Sequence, residues 1–249
     1  MKTQIRINHL SKTFKTVSGP KKALDDISLE ISEGECLVIG GENGSGKSVL
    51  MSIIAGLEEA DKNNSIGVDK KPVSVDGLVG LVFQEAETQI LGETPAEDIA
   101  FGPKNLGWKK EEVQTAVRQA LEKTGLTDKA DFPARFLSGG EKRRLAVACM
   151  LAMKLPIIIL DEPYANLDFS GVKQVNSLVR QIKAEGKTVV ILTHELEKCL
   201  GLSDRLVVLF RGKKVFDGLP VEGLKQKLEK WNIRNPLVSY TGVKDLIWE

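Results

Sequence analysis

Long hydrophobic runs are missing from this sequence. The aliphatic stretches around 157–160 and 207–210 are far too short to cross a bilayer, because a membrane-spanning helix needs about 20 apolar residues. The first eight residues carry two basic side chains and no apolar block follows them, so we expect no signal peptide. These absences predict a chain without membrane spans of its own.

The chain also has little cysteine and almost no net charge. Its three cysteines, Cys36, Cys149 and Cys199, are scattered and odd in number, which argues against a disulfide framework and indicates a reducing compartment such as the cytoplasm. With 35 basic and 34 acidic residues, the net charge of +1 excludes broad attraction to nucleic acid or anionic lipid. Internal repeats and low-complexity segments are also missing.

What the sequence does contain is an alternation of strand and helix patterns. Ile27, Leu29 and Ile31 alternate with polar residues, as in a strand with one buried face, and the aliphatic run 157–160 is typical of a parallel strand buried on both faces. Further strands are predicted at 36–39, 78–83, 188–192 and 206–210, the last in a hairpin with 213–216. Helices are predicted at 47–57, 95–124, 139–153 and 172–184. Loops are predicted over 58–76, and a helix followed by a weakly patterned segment over 220–249. This order predicts an α/β fold with a mostly parallel sheet.

The segment 41–48, Gly-Glu-Asn-Gly-Ser-Gly-Lys-Ser, matches the phosphate-loop pattern G-x-x-x-x-G-K-[ST] between a predicted strand and a predicted helix. Its glycines permit the backbone angles that turn N–H groups towards phosphate, next to the positive N-terminus of the helix. Lys47 adds positive charge at the phosphates, and Ser48 offers a hydroxyl to Mg²⁺. The loop alone does not separate a kinase, a GTPase and a transport ATPase. The predicted nucleotide contacts here are Gly41, Asn43, Gly44, Ser45, Gly46, Lys47, Ser48 and Val49.

Two carboxylates follow the predicted strand 157–160. We expect Asp161 to hold Mg²⁺ through water and Glu162 to be the general base that polarises the attacking water; the alternative is that two acids simply end a core strand. Gln84 and His194 each follow another predicted strand, from which Gln84 could reach Mg²⁺ or the attacking water, and His194 the γ-phosphate. Taken alone, each of these two residues is more often structural or on the surface.

The segment 137–141, Leu-Ser-Gly-Gly-Glu, is by itself a capping box that would start any helix. It also resembles the signature sequence of ABC ATPases, and it precedes the paired acids by the interval that this family shows. Phosphate loop, Gln84, signature, paired acids, the segment 165–168 and His194 follow the order of an ABC ATPase over about the first 220 residues. Such an ordered set is far more specific than any one of its motifs.

The resemblance implies a P-loop NTPase of the ABC cassette type, with a RecA-like core around a mostly parallel sheet, an antiparallel β-subdomain and an α-helical signature subdomain at about 85–154. The ATPase domain would span 1–218, and 219–249 would be a small C-terminal extension available for dimer contacts. The departures from the family pattern are modest. Val49 stands where a threonine is common, and 58–76 is short for the usual strand pair.

The resemblance also implies ATP and Mg²⁺ as cofactors, with hydrolysis between two cassettes paired head to tail. Each ATP would lie between the phosphate loop of one cassette and the signature of the other, whose helix N-terminus offers N–H donors and a positive dipole. Asp168 would belong to the loop that couples the two sites. Phe14 lies where the family carries an aromatic ring that stacks on adenine, although Phe14 also fits a core position. The implied signature contacts are Ser138, Gly139, Gly140 and Glu141.

A narrower resemblance involves the segments 82–84, 87–90 and 100–107, which are similar to the cassettes of energy-coupling factor transporters for vitamins and for cobalt or nickel ions. In that group this stretch receives coupling helices of a transmembrane partner; the alternative is an insertion that merely packs on the core. The implied partners are a second cassette, identical or related, a transmembrane coupling subunit and a substrate-binding membrane component. They would place the chain on the cytoplasmic face of the membrane.

Other classes of protein compete with this interpretation. One is the cassette of another class of ABC transporter, and another is a soluble ABC ATPase that acts on DNA or ribosomes. A single cassette without a long heptad segment, cysteine cluster or basic patch argues against the soluble class, so no nucleic-acid partner is expected. A third candidate is a regulatory nucleotide-binding module without turnover, against which the presence of Glu162, His194 and Ser138 argues.

Overall fold

The computed structural model describes residues 2–61 and 73–238 of the chain. Its strands are, in chain order, β1 (Thr3–Thr16), β2 (Gly19–Ser32), β3 (Cys36–Gly40), β4 (Val73–Val75), β5 (Val79–Val82), β6 (Ile157–Asp161), β7 (Thr188–Thr193), β8 (Arg205–Phe210) and β9 (Lys213–Gly218). Its α-helices are α1 (Lys47–Ile54), α2 (Pro95–Asn105), α3 (Lys110–Thr124), α4 (Gly139–Ala152), α5 (Phe169–Ala184) and α6 (Pro220–Gly223).

The larger of two sheets is the mostly parallel one that the strand–helix alternation predicts. Its strand order is β5-β6-β7-β3-β8-β9, and all neighbours run parallel except β8 and β9, which form the predicted hairpin. Every residue of β3, β6 and β7 is buried. Because side chains alternate between the two faces of a strand, an unbroken aliphatic run is stable only where both faces are covered.

Two hydrophobic clusters cover the two faces of this sheet. Within β6, Ile158 and Leu160 belong to one cluster, which includes side chains of α4 and α5. Ile157 and Ile159 belong to the other, which includes side chains of α1 and of the smaller sheet. This layering leaves the carboxyl ends of the parallel strands at one edge, the place where α/β folds bind ligands.

The smaller sheet is antiparallel, with the strand order β2-β1-β4, and it corresponds to the predicted β-subdomain. The prediction of loops throughout 58–76 is wrong at 73–75, because this segment pairs with β1, with Val75 opposite Ile5. A three-residue strand is too short to show a periodic pattern, and here its partner strand stabilises it. Residues 62–72 lie outside the described part of the chain.

The helical layer contains α2, α3 and α4, which share a third hydrophobic cluster that includes Ile99, Ala116 and Leu145. The helical stretch predicted over 95–124 is two helices, because the chain turns between them at Gly107, whose φ is 75°. Glycine adopts this left-handed conformation without steric cost. No helix within the described residues combines the length and the hydropathy that a membrane span requires.

The C-terminal segment differs most from its prediction. The prediction is a helix followed by a weakly patterned segment, whereas the described part of the segment contains the four-residue α6 and one 3₁₀ turn at Leu228–Trp231. Leu228, Trp231 and Ile233 are buried within the first hydrophobic cluster, beside residues of the central sheet. The segment as far as Ile233 therefore adds to the main core. The domain boundary at 218 stays a prediction, and residues 239–249 lie outside the described part of the chain.

Replacement of Trp231 by alanine tests this contribution to the core. Trp231 is 8% exposed, and deletion of a buried aromatic ring costs about 3 kcal/mol. For a chain of this length the expected loss in Tm is about 6–12 °C, measured by calorimetry or circular dichroism. Leu237→Ala is the control, because Leu237 is 71% exposed and should leave the Tm nearly unchanged. Equal Tm values for the two variants would contradict the assignment of Trp231 to the core.

Candidate functional site

The phosphate-loop segment lies between β3 and α1, at the carboxyl edge of the central sheet. Gly44 and Gly46 adopt φ values of 80° and 105°, which side-chain-bearing residues rarely tolerate. Gly46 is the N-cap of α1 and supplies no capping side chain. The N–H groups in the first turn of α1 therefore depend on another acceptor, and an anion at a helix N-terminus provides one.

Lys47 is held inside this loop. Its side chain is 5% exposed, and its Nζ donates hydrogen bonds to the carbonyl oxygens of Gly41 (2.7 Å) and Glu42 (3.1 Å). The same Nζ lies 3.6 Å from Glu162 Oε1. Burial lowers the pKa of Lys47, while the carboxylates of Glu162 and Asp161 oppose that shift. The ammonium group of Lys47 is therefore a buried positive charge next to the helix N-terminus that can bind an anion.

The two acids at the end of β6 are both buried. Asp161 is 8% exposed; burial raises its pKa, and a hydrogen bond with Ser48 opposes the shift. Glu162 is 4% exposed and has a φ of 45°, so the backbone turns sharply between the two carboxylates. Asp161 Oδ1 and Glu162 Oε2 are buried and have no hydrogen-bond partner among the described residues. Buried polar atoms without partners are rare and suit a ligand, ion or water.

His194 follows β7, and β7 lies beside β6 in the sheet. Its Nδ1 is 2.9 Å from Glu162 Oε1, and its side chain is 44% exposed. Glu162 is thus held between an imidazole and the ammonium of Lys47, while the exposed part of the ring remains available to a ligand. The arrangement can fix a carboxylate in position beside a bound phosphate group.

A cavity of about 570 Å³ unites most of the predicted site residues. Phe14, half-buried, and Gln84, exposed, both line it together with Glu162. The remaining predicted residues that line it are Asn43, Gly44, Gly46, Lys47, Ser48 and Val49. Ser45 and Asp161 are buried and adjoin lining residues along the chain. Gly41 is also buried, and its carbonyl oxygen accepts the hydrogen bond from Lys47 Nζ. Most of the predicted nucleotide and catalytic residues therefore occupy one site.

Other residues of this site carry no sequence signal. Lys21 and Lys22, near the start of β2, and Arg211, in the β8–β9 turn, also line the cavity and surround it with positive charge. Asn232 of the C-terminal segment donates a hydrogen bond from Nδ2 to Glu42 Oε2 (2.6 Å). Because these residues come from remote parts of the chain, only folding brings them together.

The signature residues and Asp168 are not among the residues that line this cavity. Ser138 is the N-cap of α4 and forms the predicted capping box with Glu141: Ser138 Oγ accepts from Glu141 N (3.3 Å), and Glu141 Oε2 accepts from Ser138 N (2.8 Å). Gly139 and Gly140 open the same helix. Asp168 is the N-cap of α5, where its Oδ1 accepts a hydrogen bond from Gly171 N (2.7 Å). The predicted site is thus divided between two surfaces of the chain.

Asp161→Asn should make the protein more stable. The buried carboxylate has a raised pKa, so its ionised form costs stability at neutral pH, whereas an amide carries no charge. We expect a higher Tm for the variant than for wild type without nucleotide, measured by calorimetry at pH 7. As the pH falls below the raised pKa, wild-type Asp161 becomes neutral and the gain should shrink. A lower Tm for the variant at pH 7 would contradict this account.

Together, the parallel sheet, the phosphate loop after β3 and the acids after β6 define a P-loop nucleoside triphosphatase. The chain belongs to the ABC transporter family of ATP-binding cassettes, because the family model described as "ABC transporter" matches residues 24–165. Members of this family are ATPases, and the chain is one by that membership. The predicted ABC cassette fold is confirmed.

Curated relatives support the same family. The energy-coupling factor transporter ATP-binding protein EcfA2 of Thermotoga maritima is 42% identical over 211 residues, which cover 83% of this chain and 79% of that protein. The cobalt import ATP-binding protein CbiO of Rhodobacter capsulatus is 37% identical over 229 residues, which cover 88% of this chain and 82% of that protein. The predicted resemblance to energy-coupling factor cassettes is therefore confirmed as a similarity.

Solved structures share the fold. The structure of cbiO1 from Clostridium perfringens, described as part of the ABC transporter complex cbiONQ, has a TM-score of 0.77 at 28% identity and covers 95% of this chain and 97% of that one. The ATP-binding cassette MJ0796, described as a dimer in a post-hydrolysis state bound to ADP and Pi, has a TM-score of 0.75 at 26% identity. The match covers 87% of this chain and 98% of that one.

Proposed function

We propose that the chain powers an energy-coupling factor type importer of a vitamin or a transition-metal ion. It would work as a head-to-tail dimer of cassettes, docked on the cytoplasmic side of a separate transmembrane subunit that carries a substrate-binding membrane component. The observation that carries this proposal is the exposed apolar surface on and around α2. It coincides with the segments of the sequence that resemble energy-coupling factor cassettes.

That surface has the character of a docking site. Phe101 is 49% exposed, Leu106 is 44% exposed and Leu91, just before α2, is 69% exposed. A cavity of about 730 Å³ lies between α2 and α3, and its lining includes Ala100 and Trp108. Exposed apolar side chains beside a groove suit an amphipathic helix of a partner, which buries apolar residues at helical spacing. The coupling helices of a transmembrane subunit have that chemistry.

ATP would occupy the cavity of the phosphate loop. The first turn of α1 and Lys47 would bind the phosphates, and Phe14 would stack on adenine. Ser48, Gln84 and Asp161 supply a hydroxyl, an amide and a carboxylate, the oxygen ligands that suit Mg²⁺. Asp161 Oδ1, which has no partner within residues 2–61 and 73–238, fits such an ion. When bound, Mg²⁺ would neutralise developing charge on the phosphates.

Glu162 would act as the general base. This carboxylate is buried and held by His194 and Lys47. Its other oxygen, Oε2, has no partner in the described part of the chain, and it can accept a proton from water. His194 would hold Glu162 in position and reach the γ-phosphate with the exposed part of its ring. Among the described residues of the site, these roles use the buried polar atoms that lack a partner, except Ser45 Oγ.

The divided site explains the proposed dimer. Ser138 and Gly139 are exposed at the N-terminus of α4 and lie outside the cavity of their own chain. In a head-to-tail pair the positive end of α4 would meet the γ-phosphate bound by the other cassette. ATP would then make more contacts in the closed dimer than in the open one, and this difference in affinity would move the docked membrane subunit.

Affinity purification of the tagged chain from gently solubilised native membranes tests the transport assignment. Recovery of a multispanning protein together with a small membrane protein would support it. The variant Phe101→Glu should lose both partners, because a buried charge at the docking surface is costly, whereas Leu57→Glu, at a position that is 62% exposed after α1, should retain them. Recovery of ribosomes or DNA instead would favour the soluble class and overturn the transport assignment.

A further inference from the structure

Arg143 is a buried cation that binds backbone rather than carboxylates. It lies on α4, five positions after Ser138, and is 7% exposed. Its Nη1 donates to the carbonyl oxygen of Ala165 (2.7 Å), and its Nη2 donates to that of Gln84 (2.9 Å). Within residues 2–61 and 73–238, no acidic side chain forms an ion pair with it. One side chain therefore joins three segments that are remote in sequence.

Each of these three segments carries a proposed element of the ATP site. Gln84 follows β5, and Ala165 lies between Glu162 and Asp168, while α4 begins with the signature. Gly140 adds to the contact, because a Cβ atom there would lie 3.6 Å from Leu167 Cδ2. The N-terminal half of α4 thus packs directly on the segment 165–168.

The chemistry of this contact favours arginine over other residues. A guanidinium is planar and presents several donors in a fixed fork, so it can hold two carbonyls at a set distance and angle. A buried charge is seldom required for stability alone, because apolar residues of similar volume often replace buried ionic groups without loss. Arg143 keeps its charge buried although burial lowers its pKa. Fixed geometry, rather than net stability, is the advantage of this arrangement.

We propose that Arg143 is a positioning residue that links the signature helix to both Gln84 and the segment 165–168. When α4 moves as a signature closes on the ATP of the other cassette, Arg143 carries these two segments with it and aligns the hydrolytic groups of its own chain. It touches neither ATP nor the attacking water. The inference rests on the proposed roles of Gln84, Asp168 and the signature.

The neighbouring Lys142 provides a matched control. It lies on the same helix and pairs with Glu87 (2.8 Å), three residues after Gln84, but the Glu87 side chain is 66% exposed. Exposed ion pairs contribute little to stability. Lys142→Met and Arg143→Met remove the same charge from adjacent positions and break a contact to the same segment. Only Arg143→Met removes the buried guanidinium and its two hydrogen bonds to backbone carbonyls.

The test compares kcat, the Kd for ATP and the Tm of wild type and both variants. For Arg143→Met we expect kcat to fall about 10–100-fold while the ATP Kd changes less than about threefold, because misplacement of catalytic groups affects turnover more than ground-state binding. Arg143→Lys, which retains charge but lacks the fork, should be intermediate. Lys142→Met should stay close to wild type. A kcat for Arg143→Met within twofold of wild type would overturn the inference.

Hydrogen–deuterium exchange separates positioning from a general structural role. Peptides that cover 84–89 and 165–168 should exchange faster together in Arg143→Met, and the helical layer at 110–124 should not change. A parallel loss of Tm, ATP affinity and kcat, with exchange raised throughout, would overturn the positioning role. An unchanged kcat for Gln84→Ala would remove the basis of the inference. If Gln84→Ala lowers kcat but Arg143→Met does not, the role of Arg143 is refuted while that of Gln84 stands.

Discussion

Glu162→Gln is expected to lower the rate of ATP hydrolysis by about 10²–10⁴-fold while ATP binding is retained. Glutamine has the size of glutamate and can still hydrogen-bond His194, but its amide cannot take a proton from water. The phosphate loop and Lys47 are unchanged, so ATP should remain bound. In the proposed cycle such a protein stays closed, and gel filtration with saturating ATP should show a stable dimer.

Glu185→Gln is the matched control for this variant. Glu185 forms an ion pair with Lys123 on the surface, away from the cavity, so the same chemical change there should leave turnover close to wild type. A Glu162→Gln protein that hydrolyses ATP at the wild-type rate would refute the role of Glu162 as general base. A monomer at saturating ATP would refute the proposed dimer but not the chemistry of the site.

Gly46→Ala should weaken nucleotide binding and destabilise the fold. With φ at 105°, alanine is strained at this position, and its Cβ would lie 2.6 Å from the Ala23 carbonyl oxygen and 2.8 Å from Leu24 Cδ2. Backbone strain and overpacking together cost about 4 kcal/mol, or roughly 8–16 °C in Tm. Relief of the clash would shift the start of α1, so ATP affinity should fall by at least about tenfold.

Gly56→Ala separates strain from clash. Gly56 also has a positive φ, 75°, but no atom lies within 4 Å of the Cβ that alanine would add. It should cost about 1 kcal/mol and leave ATP binding unchanged. Calorimetry and an ATP titration on Gly46→Ala and Gly56→Ala distinguish the effect of backbone strain from that of the steric clash. If both lose the same stability and both bind ATP, the contact between the phosphate loop and Ala23 is unimportant.

Residues whose role depends on their chain neighbours were predictable from sequence. The phosphate loop requires glycine at particular backbone angles and lysine at the following helix start, and the structure has Gly46 and Lys47 in those positions. Asp161 and Glu162 end a strand whose aliphatic run shows that it is buried. Phe14, by contrast, had two interpretations; it is half-buried and lines the cavity, and its stacking on adenine stays a prediction.

Residues whose position depends on pairing between strands needed the structure. Gln84 and His194 each follow a strand, but only the order β5-β6-β7 brings Gln84 to the cavity that Glu162 also lines and His194 into contact with Glu162. The strand Val73–Val75 was missed because three residues carry no detectable period. The C-terminal segment was predicted as a helix followed by a weakly patterned segment, yet its helix is only the four-residue α6, and it contributes Trp231 to the core through a short 3₁₀ turn.

By itself the sequence determined the α/β class, the phosphate loop, the paired acids and the family, because each of these depends on residue types at short, fixed spacings. The tertiary structure alone decided that Arg143 joins Gln84 to Ala165, 59 and 22 positions away, and that Asn232 contacts Glu42 across 190 positions. Contacts between remote segments produce no periodic pattern in a sequence. They arise from the packing of whole sheets and helices, which no local pattern encodes.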